Sequence, residues 1–414
     1  MSPVQPSRNL PLDLHSREFL EDPAPTLAWL RDNDPVHRSE YGYWLLTRYD
    51  DVAAAFRDPR LSSDWAKRSS LNGVVSKSRT DDDAFTRAQR VVLHSFNMKD
   101  PPAHTRIRQL VQQAFTRAAI AEQRGRITEL VDELIDAGLA KGCIDLVTEL
   151  AFPLTITIAS EMIGIPADAR DEFRSSFEDT ERLGDPTASP QQRQASRAAL
   201  VWQVQFITGV VNDRRTEPRN DLVSALVQAE ELGEKLTGDE IVAALLTLYT
   251  AGGTTTERMV SSGLLLLLQH PEQLLQLRND TEMLGGAVTE ILRYHHPNQQ
   301  TSTARVTLEP IEIGGRAIEI GQTVRLGTGA ANRDPTRWPA PDKFDITRPE
   351  IVSLALGQGV HYCIGAPLAR LQTQIAISRL LQRCPDIHLV AGEVRHDPRR
   401  MDRYERIDVN IAGN

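Results

Sequence analysis

The sequence predicts a mainly α-helical fold with a minor β portion, built as a single domain over residues 1–414. Three observations lead there. Apolar residues recur at three- and four-residue spacing through most of residues 102–295. After Pro297 that periodicity gives way to short β-branched runs between Gly and Pro. No linker rich in Pro, Gly or Ser divides the chain. A chain of this length buries about three quarters of its unfolded surface, enough for a large core without disulfides or metal staples.

The first 25 residues carry several prolines and read as an irregular lead-in. Residues 102–138 read as two helices, with Ile107, Leu110, Val111 and Ala114 on one face. Helical patterns follow over 148–163, 167–182 and 191–215. The longest runs from Asp239 to about Gln269, and Thr237 followed three residues later by Glu240 is a capping-box start for it. Residues 281–295 form another helix, closed by Pro297. Residues 304–306, 311–313 and 324–326 read as strands of a small sheet. Residues 327–362 read as mostly irregular, punctuated by Asp334-Pro335, Trp338-Pro339 and Pro341-Asp342. A helix over 366–383 and short strands close the chain.

Composition excludes several classes. Lys and Arg number 47 against 56 Asp and Glu, a net charge of −9, which argues against a general nucleic-acid binder. The longest apolar run, Ile241 to Leu246, is far too short to span a bilayer. Residues 1–20 lack the apolar core of a signal peptide. Three cysteines, Cys143, Cys363 and Cys384, make no disulfide framework and suit a reducing cytosol. The expectation is a cytoplasmic protein with no membrane and no nucleic-acid partner.

The chemistry-bearing segment is Leu356-Gly357-Gln358-Gly359-Val360-His361-Tyr362-Cys363-Ile364-Gly365. Its glycines permit positive φ and close backbone approach. A cysteine at the start of a helix is where a thiolate is favoured, because the first amides and the macrodipole stabilise negative charge. A lone cysteine is more often a buried structural residue. Here three glycines, a histidine two residues earlier and a helix start coincide. Upstream, Pro102-Ala103-His104-Thr105-Arg106-Ile107-Arg108 puts His104 and Arg108 at i,i+4, on one helical face.

The glycine segment resembles the haem-binding loop of the cytochrome P-450 superfamily, F-x-x-G-x-x-x-C-x-G. The resemblance covers most of the chain and implies a single-domain cytochrome P-450 fold with a long distal helix over haem. It implies haem b as cofactor, with Cys363 as axial thiolate ligand of the iron, and matches Gly359 and Gly365 to the motif glycines. Leu356 stands where the family has Phe beneath the haem, a departure that alters the surroundings of the sulfur without removing the ligand. His104, Arg108, Arg305 and His361 match contacts to the two haem propionates, whose burial needs cationic or hydrogen-bonding partners. Glu290-Ile291-Leu292-Arg293 matches the family's E-x-x-R. Phe344-Asp345-Ile346-Thr347-Arg348 supplies Arg348 as third member of that ion-pair cluster. Ala331-Asn332-Arg333-Asp334-Pro335 fits the bacterial pattern.

Ala251-Gly252-Gly253-Thr254-Thr255-Thr256 resembles the distal A-G-x-[D/E]-T-T. The small Ala251 and Gly252 leave room for dioxygen and substrate. Thr255 matches the threonine that holds a water donating to the distal oxygen. Thr254 occupies the position of the usual acid, and a hydroxyl has no useful carboxylate pKa. Either a water or a substrate group replaces the acid, or the reaction is oxidative C–C or C–N coupling, for example of indole-containing cyclic dipeptides, without oxygen insertion. By the same resemblance, substrate-pocket residues come from 62–98, 167–210, 246–255, 297–302 and 401–404, with Gln299, Gln300, Ser302, Phe85 and Phe96 as candidates.

The resemblance implies an enzyme that takes electrons from separate ferredoxin and ferredoxin reductase proteins and oxidises a small organic molecule of specialised metabolism by C–H hydroxylation. No flavin or nicotinamide segment is read, so no fused reductase is expected. Arg117 and Arg370 are candidates for a basic docking patch for an acidic ferredoxin. Alternatives are a peroxygenase or nitric-oxide reductase on the same scaffold, and a haem sensor or inactive scaffold protein.

Overall fold

The computed structural model describes residues 13–411 apart from 15, 65, 69–82, 185–187, 220, 232–235, 296–303, 350 and 398–402. Contacts divide the chain into two compact units. One comprises Met1–Ser62, Ala121–Leu154 and Thr255–Asn414; the other comprises Ser63–Ile120 and Thr155–Thr254.

The first unit carries the sheets. A five-stranded sheet has the order Val36–Arg38, Tyr43–Leu46, Thr323–Leu326, Arg305–Thr307, Leu61–Ser62. Tyr43–Leu46 runs parallel to Thr323–Leu326, with Leu46 opposite Leu326, and the remaining pairs are antiparallel. Val36, Leu46, Val324 and Leu326 pack with Val52, Phe56, Trp338 and Leu354 into one core cluster. Each such side chain, fully buried, stabilises the fold by roughly 1.5–3 kcal/mol. A second sheet orders Cys143–Asp145, Tyr404–Asn410 and His388–His396, and Ile311–Ile313 pairs with Arg316–Ile318 as a hairpin.

The second unit is helical among its described residues. Helix Arg170–Thr180 packs against Pro190–Thr216 and meets the first half of the Gly238–Gln269 helix. The latter contact is aromatic. Phe173 and Phe177 meet Tyr249 edge-on, with ring centroids 4.7 and 5.5 Å apart.

The long helix begins where the capping box places it. Thr237 N–H donates to Glu240 Oε2 at 2.8 Å, and Glu240 N–H donates to Thr237 Oγ1 at 3.2 Å. The expected helices over 102–138, 148–163, 167–182, 191–215, 281–295 and 366–383 all form within a few residues of the read bounds. The expected strands do too, at Arg305–Thr307, Ile311–Ile313 and Thr323–Leu326.

Two helices lie in or just after the lead-in that the sequence reads as irregular. Arg17–Glu21 falls within the first 25 residues, and Ala24–Asn33 starts at their end, with Pro23 at its N-cap and Pro25 in its first turn. Pro271 opens a further helix, Pro271–Asn279, directly after His270. Proline is tolerated in the first helical turn because the N–H it lacks has no intrahelical acceptor there. Helices Ala84–Val92 and Leu222–Glu231 and the strands before Ser63 are elements that the sequence reading leaves unassigned. No helix among the described residues is long and apolar enough to cross a membrane.

Candidate active site

The cysteine loop belongs to the first unit. A 3-10 turn, Gly359–His361, leads into Cys363, and the helix Ala366–Arg383 follows with Gly365 as its N-cap. The loop closes on itself: Cys363 N–H donates to Leu356 O at 2.8 Å and Tyr362 N–H to Gly359 O at 3.1 Å. Gly359 has φ +69°, and a Cβ there would lie 3.0 Å from Phe56 O. Only glycine meets both demands without strain. Gly365 has an ordinary φ of −81° and open space where a side chain would stand, so neither backbone strain nor a protein clash demands it. Cys363 is half-buried. Among the described residues no three His, Cys, Asp or Glu side chains gather as a metal-ligand set. The donor chemistry here is therefore a single thiol before a helix, which fits one axial ligand of a haem iron and does not fit a cage for a bare ion.

Behind the loop, Glu290 and Arg293 are both fully buried in the helix Leu284–Tyr294. Arg293 donates to Glu290 through Nε and Nη2, each at 2.7 Å. Its remaining protons reach the carbonyls of Asn332 at 3.0 Å, Pro341 at 2.8 Å and Lys343 at 3.2 Å. Glu290 Oε1 also accepts from Asp345 N–H at 3.0 Å and Arg348 Nε at 3.5 Å. The E-x-x-R pair thus locks the irregular 332–348 stretch, with Arg348 in place as third member. From the Ala331–Pro335 motif, Asn332 Oδ1 accepts from Leu354 N–H at 2.8 Å and Asp334 Oδ2 from Tyr49 N–H at 2.9 Å. Arg305 is buried at the start of the strand Arg305–Thr307, and His361 is half-buried in the cysteine loop.

His104, Arg108, Ala251, Gly252 and Thr254 belong to the second unit. His104 is buried in the helix Ala103–Gln112, its ring 6.5 Å from that of Phe96. Burial, and then the Arg108 cation, push the His104 imidazole down to about 4. It is neutral at pH 7 and offers one N–H, while Arg108 carries the positive charge. The Arg197 guanidinium lies 4.4 Å from the ring centroid of Phe85, covering one face of that candidate wall. Gln299, Gln300 and Ser302 lie outside the described residues.

The distal helix is buried along 241–246 and 256–267, yet Thr250 and Ala251 are exposed and Thr247, Leu248, Gly252 and Thr255 are half-buried. Apart from Thr250, these positions fall at i, i+1, i+4, i+5 and i+8, one face of a helix. An open face between buried flanks, at the small residues of the A-G motif, fits space for a ligand. Thr254 is buried, and its hydroxyl donates to Thr250 O at 3.2 Å. Gly253 O accepts from the buried Thr155 hydroxyl at 2.9 Å, and a Cβ on Gly253 would come within 2.9 Å of Ile156 Cδ1. A larger residue at 253 would oblige the end of the Ile156 side chain to shift. Sequence reading missed Thr155, since nothing in a lone threonine distinguishes it.

Arg117 is exposed at the start of the helix Arg117–Leu139. Arg370 is half-buried, and its Nη1 donates to Thr289 Oγ1 at 2.7 Å. Burial lowers its guanidinium pKa. Arg370 is tied into the fold and is not a freely presented docking charge.

A family model described as Cytochrome P450 matches residues 188–387. Cytochrome P450 monooxygenase PikC of Streptomyces venezuelae is 38% identical over 387 residues, covering 92% of this chain and 88% of that protein. The 6-deoxyerythronolide B hydroxylase of Saccharopolyspora erythraea is 38% identical over 385 residues, covering 91% of this chain and 92% of that one. The solved structure of the bacillaene polyketide synthase cytochrome P450 PksS of Bacillus subtilis superposes with a TM-score of 0.86 at 33% identity, over 96% of this chain and 99% of that one. The helical fold inferred from the cysteine loop and its companion motifs is thus the fold of these relatives, and the chain belongs to the cytochrome P450 family.

Proposed function

We propose that this cytochrome P450 hydroxylates a C–H bond of a small natural-product intermediate, as one haem-thiolate domain over residues 1–414, with electrons from a separate ferredoxin and its reductase. Proteins of this family bind haem through a cysteine thiolate, and its relatives are monooxygenases and hydroxylases. The observation that carries the reading is the glycine-bent loop presenting the half-buried Cys363 thiol ahead of the Ala366–Arg383 helix.

Bound haem with a thiolate ligand supplies dioxygen activation, the electron-rich sulfur favouring O–O cleavage. In the balanced reaction one oxygen atom enters the C–H bond. The other leaves as water with two protons and two electrons. The chain's residues have distinct tasks. Cys363 ligates through a thiolate favoured at the helix start. Arg108, Arg305, His361 and His104 hold the propionates. Gly359 keeps the loop close to the backbone of Phe56, and Gly365 starts the helix. Ala251 and Gly252 keep the distal face open. Thr255 holds a proton-donating water on that face. Thr254, whose proton is engaged by Thr250 O, cannot act as the usual acid, so water or a substrate group serves that limb.

Turnover under isotopically labelled dioxygen tests this reading. Label in the main product is the expected result; an unlabelled dehydrogenated or dimeric product would establish oxidative coupling instead. Thr255→Ala should lower product formed per electron by roughly tenfold and raise peroxide release, because the distal water loses its anchor.

Electron delivery gives a second test. Arg117 is an exposed cation on a chain of net charge −9. Arg117→Glu should slow ferredoxin-driven reduction on the order of tenfold at low salt, with dithionite reduction unchanged. Equal ferredoxin-driven rates for the two proteins would remove Arg117 from the docking surface.

A further inference from the structure

The helix Ala103–Gln112 carries its two propionate candidates on one face and a different kind of contact on the other. At about 100° per residue, His104 and Arg108 point within about 40° of each other, and Arg106 points about 180° from their mean direction. On that opposite side Arg106 meets a carboxylate. Its Nη2 donates to Glu240 Oε1 at 2.5 Å and its Nη1 to Glu240 Oε2 at 3.1 Å. Glu240 is nearly buried, with a side-chain exposure of 10%. The same Oε2 accepts the Thr237 N–H in the capping box of the distal helix. One carboxylate therefore fastens the back of the Ala103–Gln112 helix to the first turn of the Gly238–Gln269 helix. All of these residues lie within one compact unit.

We infer that Arg106 and Glu240 are positioning residues that fix the rotation of the Ala103–Gln112 helix about its axis and so aim His104 and Arg108 at the haem propionates. A planar guanidinium held by both carboxylate oxygens restrains direction as well as distance, which a lysine at the same place would not do. The restraint acts at the far edge of the helix, where a small rotation moves the opposite face by the same angle. A partly exposed ion pair contributes little to stability by itself. Its effect should appear in how firmly haem is held, more than in how stably the chain folds. The inference rests on the reading of His104 and Arg108 as propionate contacts.

The test compares haem loss from purified holoprotein to an excess of a haem-scavenging apoprotein, with thermal unfolding measured in parallel. Arg106→Met and Glu240→Gln should each speed haem loss on the order of tenfold. The double variant should be no faster than Arg106→Met alone, since that change already removes the contact with Glu240. Arg106→Lys should fall between wild type and Arg106→Met. The propionate-bending bands of the resonance Raman spectrum should shift in Arg106→Met, which a general loosening of the fold would not cause selectively. Thr237→Ala removes the hydroxyl that accepts from Glu240 N–H and leaves the carboxylate pair intact. It should lower the thermal midpoint while haem loss stays at the wild-type rate. Should Arg106→Met lose haem at the wild-type rate while Arg108→Ala loses it faster, the positioning role is overturned and the propionate reading stands. Should Arg108→Ala and His104→Ala also behave as wild type, the propionate reading itself fails.

Discussion

Cys363→Ala is expected to abolish the red-shifted, thiolate-type Soret band of the reduced carbon-monoxide complex and to eliminate monooxygenase turnover. No other described cysteine is placed to take over as the thiolate ligand. Cys384 is the C-cap of the helix Ala366–Arg383, so the whole 18-residue helix separates it from the loop. That is about 27 Å at 1.5 Å per residue. Cys384 is also fully buried, and burial pushes its thiol pKa up, the wrong direction for a ligating thiolate. Cys143 sits on the strand Cys143–Asp145, held by pairing with Asn410. Replacing Cys363 by histidine should recover a haem protein with an imidazole-type spectrum. It should not recover oxygen insertion, since imidazole donates less electron density than thiolate. Retention of the thiolate-type band in Cys363→Ala would show that the ligand is elsewhere.

The legible parts of this chain were those where chemistry forces a short-range pattern. The cysteine loop could be read because positive φ at Gly359 and the helix start after Gly365 are local requirements. The Glu240 capping box was equally plain, because both of its hydrogen bonds join residues three apart. What stayed hidden depends on partners remote in sequence. Tyr43–Leu46 becomes a strand by pairing in parallel with Thr323–Leu326, some 280 positions on, and no four-residue run announces such a neighbour. The Thr155 bond to Gly253 O and the Arg106–Glu240 pair are of the same kind. Arg370 shows the converse error. A basic residue one turn into a helix reads as a surface charge, and only the packing against Thr289 reveals it as half-buried. The prolines of the lead-in misled for a different reason: a residue that breaks a helix interior is equally suited to its first turn, as Pro25 is in Ala24–Asn33.

Glu290→Ala should reduce the yield of folded, haem-loaded protein severely, with little change in substrate affinity for the fraction that folds. Glu290 and Arg293 are both 0% exposed, so solvent cannot compensate when one is removed. In wild type the guanidinium is neutralised by two 2.7 Å hydrogen bonds from Nε and Nη2. The carbonyls of Asn332, Pro341 and Lys343 would still accept its other protons, but carbonyl dipoles supply no counter-charge. Breaking such a pair by deleting one partner costs roughly 3–5 kcal/mol, because an uncompensated charge stays buried. That is a large part of the about 5–15 kcal/mol that stabilises a typical domain. The damage extends beyond the pair. Glu290 Oε1 also receives Asp345 N–H and Arg348 Nε, and Arg348 in turn donates to Pro339 O at 2.7 Å and Ala340 O at 3.1 Å. Loss of the carboxylate therefore releases the irregular stretch that packs ahead of the cysteine loop, and haem incorporation should fall with it. Glu290→Gln keeps an oxygen acceptor for Arg293 but no charge, and should lie between wild type and Glu290→Ala. The ratio of Soret to protein absorbance and the thermal midpoint measure both effects. Normal yield and normal haem content in Glu290→Ala would mean that the guanidinium finds solvent or a substitute anion, and that the pair is no part of what holds the loop.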